Sequence, residues 1–472
     1  MLPKMCTGPM IECVKRSFVL FGCLLFGIYF ILTTPVMAET SSNSSKAPPS
    51  DSENQQKFSE SWSSKIDMQW GGRIRALGAI SKYDHGTIYY AVEDDPYLDG
   101  NADFRLNNDT YFNPSTYFTI NYEAVLLAGG SIEAENKLRA LLPDTLPDDA
   151  IFIRSPVNDE RRFFDLTKTI SSGDDYILYH RLDRLSLTVK QDWGLARIGR
   201  QAVTWGNGFL FNPMDLFNPF APTQIDRDYK MGDDMLFTQF PLRQTGDLQL
   251  LYVPRRDPST GDIEWDWSSL AGKAHFSAGT TEFDIMSAVH YDDFVIGFGS
   301  RGYLGDAAWR MDATYTFLSD ETTNQDGYLS LAANMDYSWI WGGKNYYGFV
   351  EFYFNGLGEE NYSLAITDRA LVERIIRGEI FTLGRTYLTG SVRVELHPLF
   401  NFILTSINNL ADPSGILQPY GIWDITQNLQ LTCGATIPWG DSGTEYGGFP
   451  IPATGFISSP PVSAFLWLTR YF

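Results

Sequence analysis

The sequence predicts an all-β fold, a transmembrane antiparallel up-and-down β-barrel of about 18 strands with short periplasmic turns and long extracellular loops. From Ile66 to the last residue, apolar and polar side chains alternate in runs of about 9 to 14 residues. A secretory leader precedes these runs. Soluble strands average about 5 to 6 residues, whereas a tilted membrane strand needs about 9 to 11. The run lengths therefore favour a membrane barrel over a soluble sandwich.

The chain divides into three predicted regions. Residues 1–38 read as a signal peptide, because Lys15 and Arg16 precede an apolar run and Val36-Met37-Ala38 offers a cleavage site. A lipidated Cys23 and an uncleaved anchor are disfavoured, since the apolar run is short. Residues 39–64 are predicted to be a disordered periplasmic tail, because they contain almost nothing to bury. Residues 65–472 form the barrel.

Composition excludes several classes of protein. The chain has 57 Asp and Glu against 36 Lys and Arg, a formal net charge of −21, which argues against nucleic acid as a partner. Beyond the leader the sequence contains one cysteine, Cys433, so an intrachain disulfide and a cysteine-rich metal site are excluded. No Cys-x-x-Cys-His motif is present for covalent haem. We expect no cofactor and no metal.

One run shows the alternation clearly. From Ala307 to Phe317 every second residue is apolar, including Trp309, and the residues between them include Arg310 and Asp312. Aromatic residues gather at the ends of such runs, where a membrane barrel carries its interfacial girdles; examples are Tyr337, Trp339 and Trp341. Only a closed barrel satisfies the backbone of such strands in lipid.

Strand number follows from the connections. The last run, Ala464 to Phe472, ends on a Phe and resembles the assembly signal of bacterial outer-membrane proteins. Counted back from it, long connections such as 438–461, 206–232 and 129–175 alternate with short ones such as Gly342-Gly343. This predicts 18 strands; sixteen is the alternative, because the weakly alternating pieces near 269–300 can be merged. Helices are expected at 131–142, with Ser131 as N-cap, and at 361–377.

The polar face of the strands predicts a water-filled lumen. Arginines are prominent among the residues assigned to this face, which would favour anions; the alternative is that they pair with inward carboxylates and stiffen the wall. The predicted pore-lining residues are Arg73, Arg75, Arg105, Glu123, Arg184, Lys190, Arg310, Asp312, Asp336, Glu351, Arg393 and Glu395.

The connection 206–232 is predicted to fold back into the lumen as a constriction loop. It is apolar and rich in Pro, which suits a solvated surface loop poorly. An ordered external cap is the alternative. The residues expected to matter are Phe211, Asp215, Phe217, Asp226, Arg227, Asp228 and Lys230.

Neither catalysis nor metal binding is expected. The five histidines are spread over the chain without a neighbouring Ser or Asp motif, so we predict no catalytic residues and no enzyme. Paired acids such as Asp94-Asp95, Asp233-Asp234 and Asp292-Asp293 are calcium candidates, but hydrated loop charges are the preferred interpretation.

One short element resembles a known group. Gly199-Arg200-Gln201, followed by Trp205-Gly206, is similar to an element of large Gram-negative porin-like barrels, which include the alginate-export-type channels. In that group the resemblance implies passage of an anionic polysaccharide through an arginine-lined pore, although no local pattern here carries that substrate over. The alternation leaves open whether Arg197 or Arg200 points inward.

Together these features predict an outer-membrane porin, a passive diffusion channel for small hydrophilic solutes with an anion preference as a finer expectation. The partners would be outer-membrane lipid and the solutes themselves. The alternative is a barrel that serves as sheath or scaffold for a periplasmic partner, such as a multihaem cytochrome or an export complex.

Overall fold

The computed structural model describes residues 66–93, 96–140, 159–225, 229–242, 246–319 and 325–472. The predicted leader and tail lie outside these residues and stay predictions. The described residues form one closed antiparallel barrel of eighteen strands. In chain order the first nine strands are β1 Asp67–Lys82, β2 Tyr97–Asn113, β3 Thr116–Gly129, β4 Tyr176–Gln191, β5 Gly194–Gln201, β6 Asp233–Leu242, β7 Gly246–Val253, β8 Ser269–Ala278 and β9 Thr281–His290. The others are β10 Asp293–Leu304, β11 Ala307–Phe317, β12 Gly327–Trp341, β13 Lys344–Asn355, β14 Thr386–His397, β15 Phe400–Asn409, β16 Ser414–Thr426, β17 Leu429–Trp439 and β18 Val462–Tyr471.

The barrel closes because β18 pairs with β1, with Arg73 opposite Tyr471 and Lys82 opposite Val462. Every wall strand is also hydrogen-bonded to its neighbours in sequence. The count of 18 is confirmed, and the alternative of 16 is wrong, because residues 269–304 form three separate strands.

The described parts of the long connections contain four short helices: α1 Ile88–Val92, α2 Gly130–Ala140, α3 Tyr362–Ala365 and α4 Arg369–Ile376. None of the described helices has the length and apolar content to cross a membrane. Ser131 is not the N-cap of α2; its amide and hydroxyl donate to Asp99 at 2.9 and 2.7 Å. The second predicted helix is split into α3 and α4, because Asp368 caps α4 by accepting the amide of Leu371.

Three small strands lie outside the wall. Thr167–Ser172 extends the sheet beside the outer end of β4, and Phe449–Pro450 pairs with Ile457–Ser458. The long connections share one end of the barrel and the tight turns share the other. In barrels of this kind the long loops face outside and the short turns face the periplasm.

The two faces of the wall differ sharply in chemistry. Outward side chains are apolar and exposed, as with Ile198 at 59% and Ile285 at 52%. On the inward face of β11, Asp312, Thr314 and Thr316 are each at most 4% exposed. Tyr337, Trp339 and Trp341 lie at the short-turn end of β12. A closed wall with an apolar outer surface and a polar interior places the chain in the outer membrane.

Candidate functional site: a segment across the lumen

Residues 202–225 and 229–232, here together called the lumenal segment, lie between β5 and β6, and the chain leaves the wall at the end of β5. Gly199 has φ +114, and a Cβ there would lie 2.1 Å from the carbonyl oxygen of Leu185. Gln201 follows; its side-chain amide donates to the carbonyl of Met235 at 3.1 Å. Gly206 has φ +89, and its Cβ would meet Asn212 Oδ1 at 2.0 Å. The glycines of the element noted in the sequence therefore allow the chain to turn inward.

Two wall carboxylates receive the segment in the middle of their strands. Asp312 of β11 accepts the backbone amide and the side-chain amide of Asn207, at 2.5 and 2.9 Å. Glu351 of β13 accepts the backbone amides of residues 209, 210 and 211 at 2.7 to 2.9 Å. These two predicted pore-lining residues anchor the backbone of the segment.

Apolar side chains fix the segment to one side of the wall. The ring of Phe211 stacks on Tyr353 with centroids 4.2 Å apart. Phe217 packs edge-on against Trp205, and the indole of Trp205 donates to Gln249 at 2.7 Å. The inward face here is apolar, which the strict alternation did not indicate; the segment packs on a cluster that includes Val253, Met286, Ala288 and Val295.

The segment then reaches the opposite side of the barrel. Gln418 of β16 donates to the carbonyl of Thr223 at 2.9 Å. Ile225 packs near Leu77 and Phe465 of the strands that close the barrel. Since Phe217 lies 5.4 Å, centroid to centroid, from the ring of His290 in β9, the chain spans the lumen between these contacts. Asp226, Arg227 and Asp228 lie outside the described residues.

Charged side chains hold Tyr229 and Lys230, where the segment returns to the wall. Arg105 lies over the ring of Tyr229 at 3.8 Å, and Arg73 lies 5.5 Å from the same centroid. Lys230 Nζ donates to Asp215 Oδ1 at 2.5 Å and to the carbonyl of Val203 at 2.6 Å. Asp215 and Lys230 are only 4% and 5% exposed. Asp215 therefore binds Lys230 inside the segment and joins its two ends.

Most predicted lumenal arginines are paired with carboxylates. Arg73 and Arg75 bind Asp103 at 3.3 and 2.8 Å. Asp183 receives both Arg105, at 2.6 Å, and Arg184, at 2.7 Å. Glu123 lies 3.8 Å from Arg105, and Arg310 binds Asp336 at 2.6 Å. Asp103 and Asp183 were not among the predicted pore-lining residues, because only the register shows which charges face one another.

Three predicted residues near the periplasmic end differ from these. Lys190 and Arg393 are exposed and lie over Tyr117 and Tyr347, at 5.2 and 5.4 Å. Among the residues that the structure describes, neither has a carboxylate at ion-pair distance. Glu395 accepts from Asn345 at 3.0 Å.

Arg197 and Arg200 lie on opposite faces of β5. Arg197 is on the inner face and donates to Thr188 at 3.0 Å. Arg200 alternates with the exposed Ile198, yet it is 1% exposed, because residues 159–166 fold over it. It binds Asp234 at 2.9 Å and Asp159 at 2.8 Å.

Of the three acidic pairs, Asp94-Asp95 lies outside the described residues, and in the other two pairs three of the four carboxylates are not the hydrated charges we expected. Asp233 binds Arg255 at 2.8 Å, and Asp234 binds Arg200. Asp292 is exposed, whereas Asp293 is buried and binds Arg374 of α4. Burial raises the pKa of Asp159, but Arg162 and Arg200 outweigh it and lower that pKa to about 2. Arginines from several elements thus tie the outer loops to the barrel.

Sequence reasoning also missed a group around His290. Its Nδ1 lies 2.8 Å from the hydroxyl of Ser269, and its Nε2 lies 3.5 Å from Glu379. The arrangement of Ser269, His290 and Glu379 resembles a catalytic triad. However, Ser269 is 1% exposed, and its hydroxyl also accepts a hydrogen bond from Arg255 at 2.6 Å. These contacts join the wall to residues 356–385.

Comparisons with known proteins add the following. No protein-family model matches the chain, and no curated protein matches it. Among solved structures it is similar to OccAB2 of Acinetobacter baumannii, with 10% identity, a TM-score of 0.49, and 87% of this chain and 99% of that chain covered. It is also similar to OccK5 (OpdH) of Pseudomonas aeruginosa, with 9% identity and a TM-score of 0.48; the match covers 86% of this chain and 98% of that chain. A third similar structure is a BenF-like porin from Pseudomonas fluorescens Pf-5, with 9% identity and a TM-score of 0.46; the match covers 86% of this chain and 98% of that chain. At these scores the likenesses say nothing about what the barrel carries.

Wall and lumen together define what the chain is. The outer surface is apolar, the interior is charged and hydrogen-bonded, and residues 202–225 and 229–232 contact opposite sides of that interior, at Asp312 and at Arg105. The chain is an outer-membrane β-barrel with its own loop folded inside.

Proposed function

We propose that this protein is a porin, a passive diffusion channel for small hydrophilic solutes that is narrowed by the lumenal segment. The crossing of the lumen carries the proposal. The segment is held at Asp312 of β11 and Glu351 of β13, and on the other side of the barrel Arg105 of β2 lies over the ring of Tyr229 at 3.8 Å. A polar barrel obstructed at this depth passes only solutes that fit beside the obstruction.

The vestibule on the periplasmic side supports the same function. Below the segment the wall carries half-exposed charged groups, such as Arg301 and its partner Glu282 at 48% and 40% side-chain exposure. Arg310, which binds Asp336, also lies over the ring of Phe209 at 4.6 Å. Charged groups on a hydrated wall favour polar solutes over apolar ones.

An anion preference is the finer proposal. Lys190 and Arg393 support it, because they are exposed on the inner face near the periplasmic end. Arg73, Arg75 and Arg105 support it less, since carboxylates at 2.6 to 3.3 Å offset their charge. The Gly199–Gly206 element adds no substrate: its glycines serve a turn, and Arg200 holds an outer loop.

The sheath or scaffold alternative is less well supported. A partner inside the barrel needs an open lumen, and the lumenal segment contacts the wall on both sides of it. Residues around α3 and α4 form a second core with Tyr328 of the wall and Phe449. A partner bound at the rim alone would leave the lumenal segment unexplained.

Reconstitution of the purified protein in planar bilayers tests the proposal. A porin gives discrete current steps whose size scales with salt concentration. A sheath gives no steps above the bare membrane, and that result would remove the channel function.

A further inference from the structure

Glu351 is saturated with donors from the lumenal segment and the wall. Its Oε1 accepts the amides of Leu210 and Phe211 at 2.9 and 2.8 Å. Its Oε2 accepts the amide of Phe209 at 2.7 Å and the side-chain amide of Asn334 at 3.1 Å. An ionised carboxylate offers about four acceptor positions. Glu351 therefore holds four donors and is 0% exposed.

Asp312 holds the segment in the same way, at a residue closer to β5. Its Oδ2 accepts the backbone amide of Asn207, and its Oδ1 accepts the side-chain amide of the same residue. The carboxylate is buried at 1% exposure. A Cβ on Gly299 would lie 2.7 Å from Oδ1, so the wall also presses closely on this group.

The charged groups around the two carboxylates come from five strands. Asp284 of β9 faces Asp312, and Asp284 itself binds Lys273 and His275 of β8 at 3.5 and 3.0 Å. Arg301 of β10 donates to the side chain of Asn207 at 3.4 Å. Near Glu351, Arg310 of β11 donates to Asn334 at 3.2 Å and binds Asp336 of β12. Among the described residues of the segment, the charged side chains are Asp215 and Lys230, and they pair with each other.

We propose that Asp312 and Glu351 form a carboxylate latch, which releases the lumenal segment and widens the passage when the two groups are neutralised. This inference rests on the channel function proposed above. A proton on either oxygen replaces an acceptor by an O–H donor, which then points at an N–H group. Every acceptor position of Glu351 is in use, so a proton there displaces one donor, and three of the four donors are amides of residues 209–211. Loss of the negative charge also weakens the hydrogen bonds that remain, including those of Asp312 to Asn207. Acid is therefore the signal that opens the channel.

Single-channel recording of the full chain tests the latch. The unsubstituted protein is titrated from neutral pH to about pH 3, below the usual carboxyl range, and compared with Asp312→Asn/Glu351→Gln. We expect conductance to rise on acidification in the unsubstituted protein. The double variant should have the larger conductance already at neutral pH and should respond less to acid. Asp424→Asn is the control, because this inner-face carboxylate binds Gln430 and not the segment.

A labelling measurement keeps the test independent of current. Leu210 is 8% exposed, so Leu210→Cys in a Cys433→Ser background should react slowly with a charged thiol reagent. The reaction should speed up when the two carboxylates are replaced. Equal labelling rates with and without the two carboxylates would overturn the latch. So would current steps of the same size at every pH and in the double variant. Either result would leave the channel function intact. A complete lack of steps in every protein would instead remove the channel function.

Discussion

Lys230 and Asp215 form a buried ion pair inside the barrel, with Nζ and Oδ1 2.5 Å apart. Fifteen positions separate the two residues, so the pair closes the lumenal segment on itself. Lys230→Met should destabilise the folded segment by about 3–5 kcal/mol, because the Asp215 carboxylate is left buried without its partner. Hydrogen exchange of the amides of residues 203–217 measures this loss.

Asp215→Asn/Lys230→Met should recover much of the protection, since no buried charge remains. Arg369→Gln is the control, because its pair with Glu373 lies on α4 and is largely exposed, and such pairs contribute only about 0–1 kcal/mol. Equal exchange in Lys230→Met and the unsubstituted protein would show that the pair does not hold the segment.

Attachment of residues 159–166 should depend on pH through Asp159. The pKa of Asp159 is lowered from 3.8 to about 2, so its contribution is fully present above pH about 4 and is lost as pH falls through about 2. The ionised Asp159 contributes about 2 kcal/mol to the free energy that holds this loop on the barrel. Hydrogen exchange of this loop, corrected for intrinsic rates across this range, should show the loss. Asp159→Asn should be loose throughout; a loop with the same pH profile in that variant would contradict the assignment.

Closure of the barrel should depend on Gly72. The amide of Gly72 donates to Phe472 and its carbonyl accepts the amide of Phe472, each at 3.0 Å. A Cβ on Gly72 would lie 2.3 Å from the carbonyl of Arg105 and 2.7 Å from the ring of Phe472. Gly72→Ala should therefore lower the yield of inserted barrel, and so should deletion of Phe472.

Gly71→Ala is the control for closure, because its Cβ would meet its nearest atom at 3.6 Å. Insertion into outer-membrane lipid, followed by protease resistance of the barrel, gives the yield. Equal yields for the two alanine variants would rule out the contact with Phe472 as a closing element.

Ion selectivity should respond to Arg393. This side chain is exposed on the inner face and lies over Tyr347, so Arg393→Glu replaces a lumenal cation by an anion. The reversal potential in a salt gradient should move toward cations. Arg369→Glu on α4, which is 65% exposed in the outer loop, should leave it nearly unchanged. An unchanged potential for Arg393→Glu would remove the anion preference.

The strands were predictable because their two faces meet different surroundings. In β11, lipid selects Trp309 on one face and the interior selects Asp312 on the other. The lumenal segment was predictable for a related reason: Phe211 and Phe217 need apolar surroundings, and the cluster on the inner wall supplies them. Water outside the barrel would not provide apolar surroundings for these rings.

The charge pairs were not predictable from alternation. Arg105 and Asp183 are 78 positions apart and meet only because β2, β3 and β4 pair in one register. The anchoring role of Glu351 was also hidden, since its partners are backbone amides, which every residue except Pro possesses. A side chain's face can be read from the sequence, but its partner depends on the closed sheet.

Deletion of residues 209–229, recorded as single-channel conductance beside the intact chain, tests the central claim that this segment narrows a conducting lumen. The account predicts larger current steps with weaker discrimination between ions, because the obstruction between Asp312 of β11 and Arg105 of β2 is gone. Steps of unchanged size from a correctly inserted variant would contradict it.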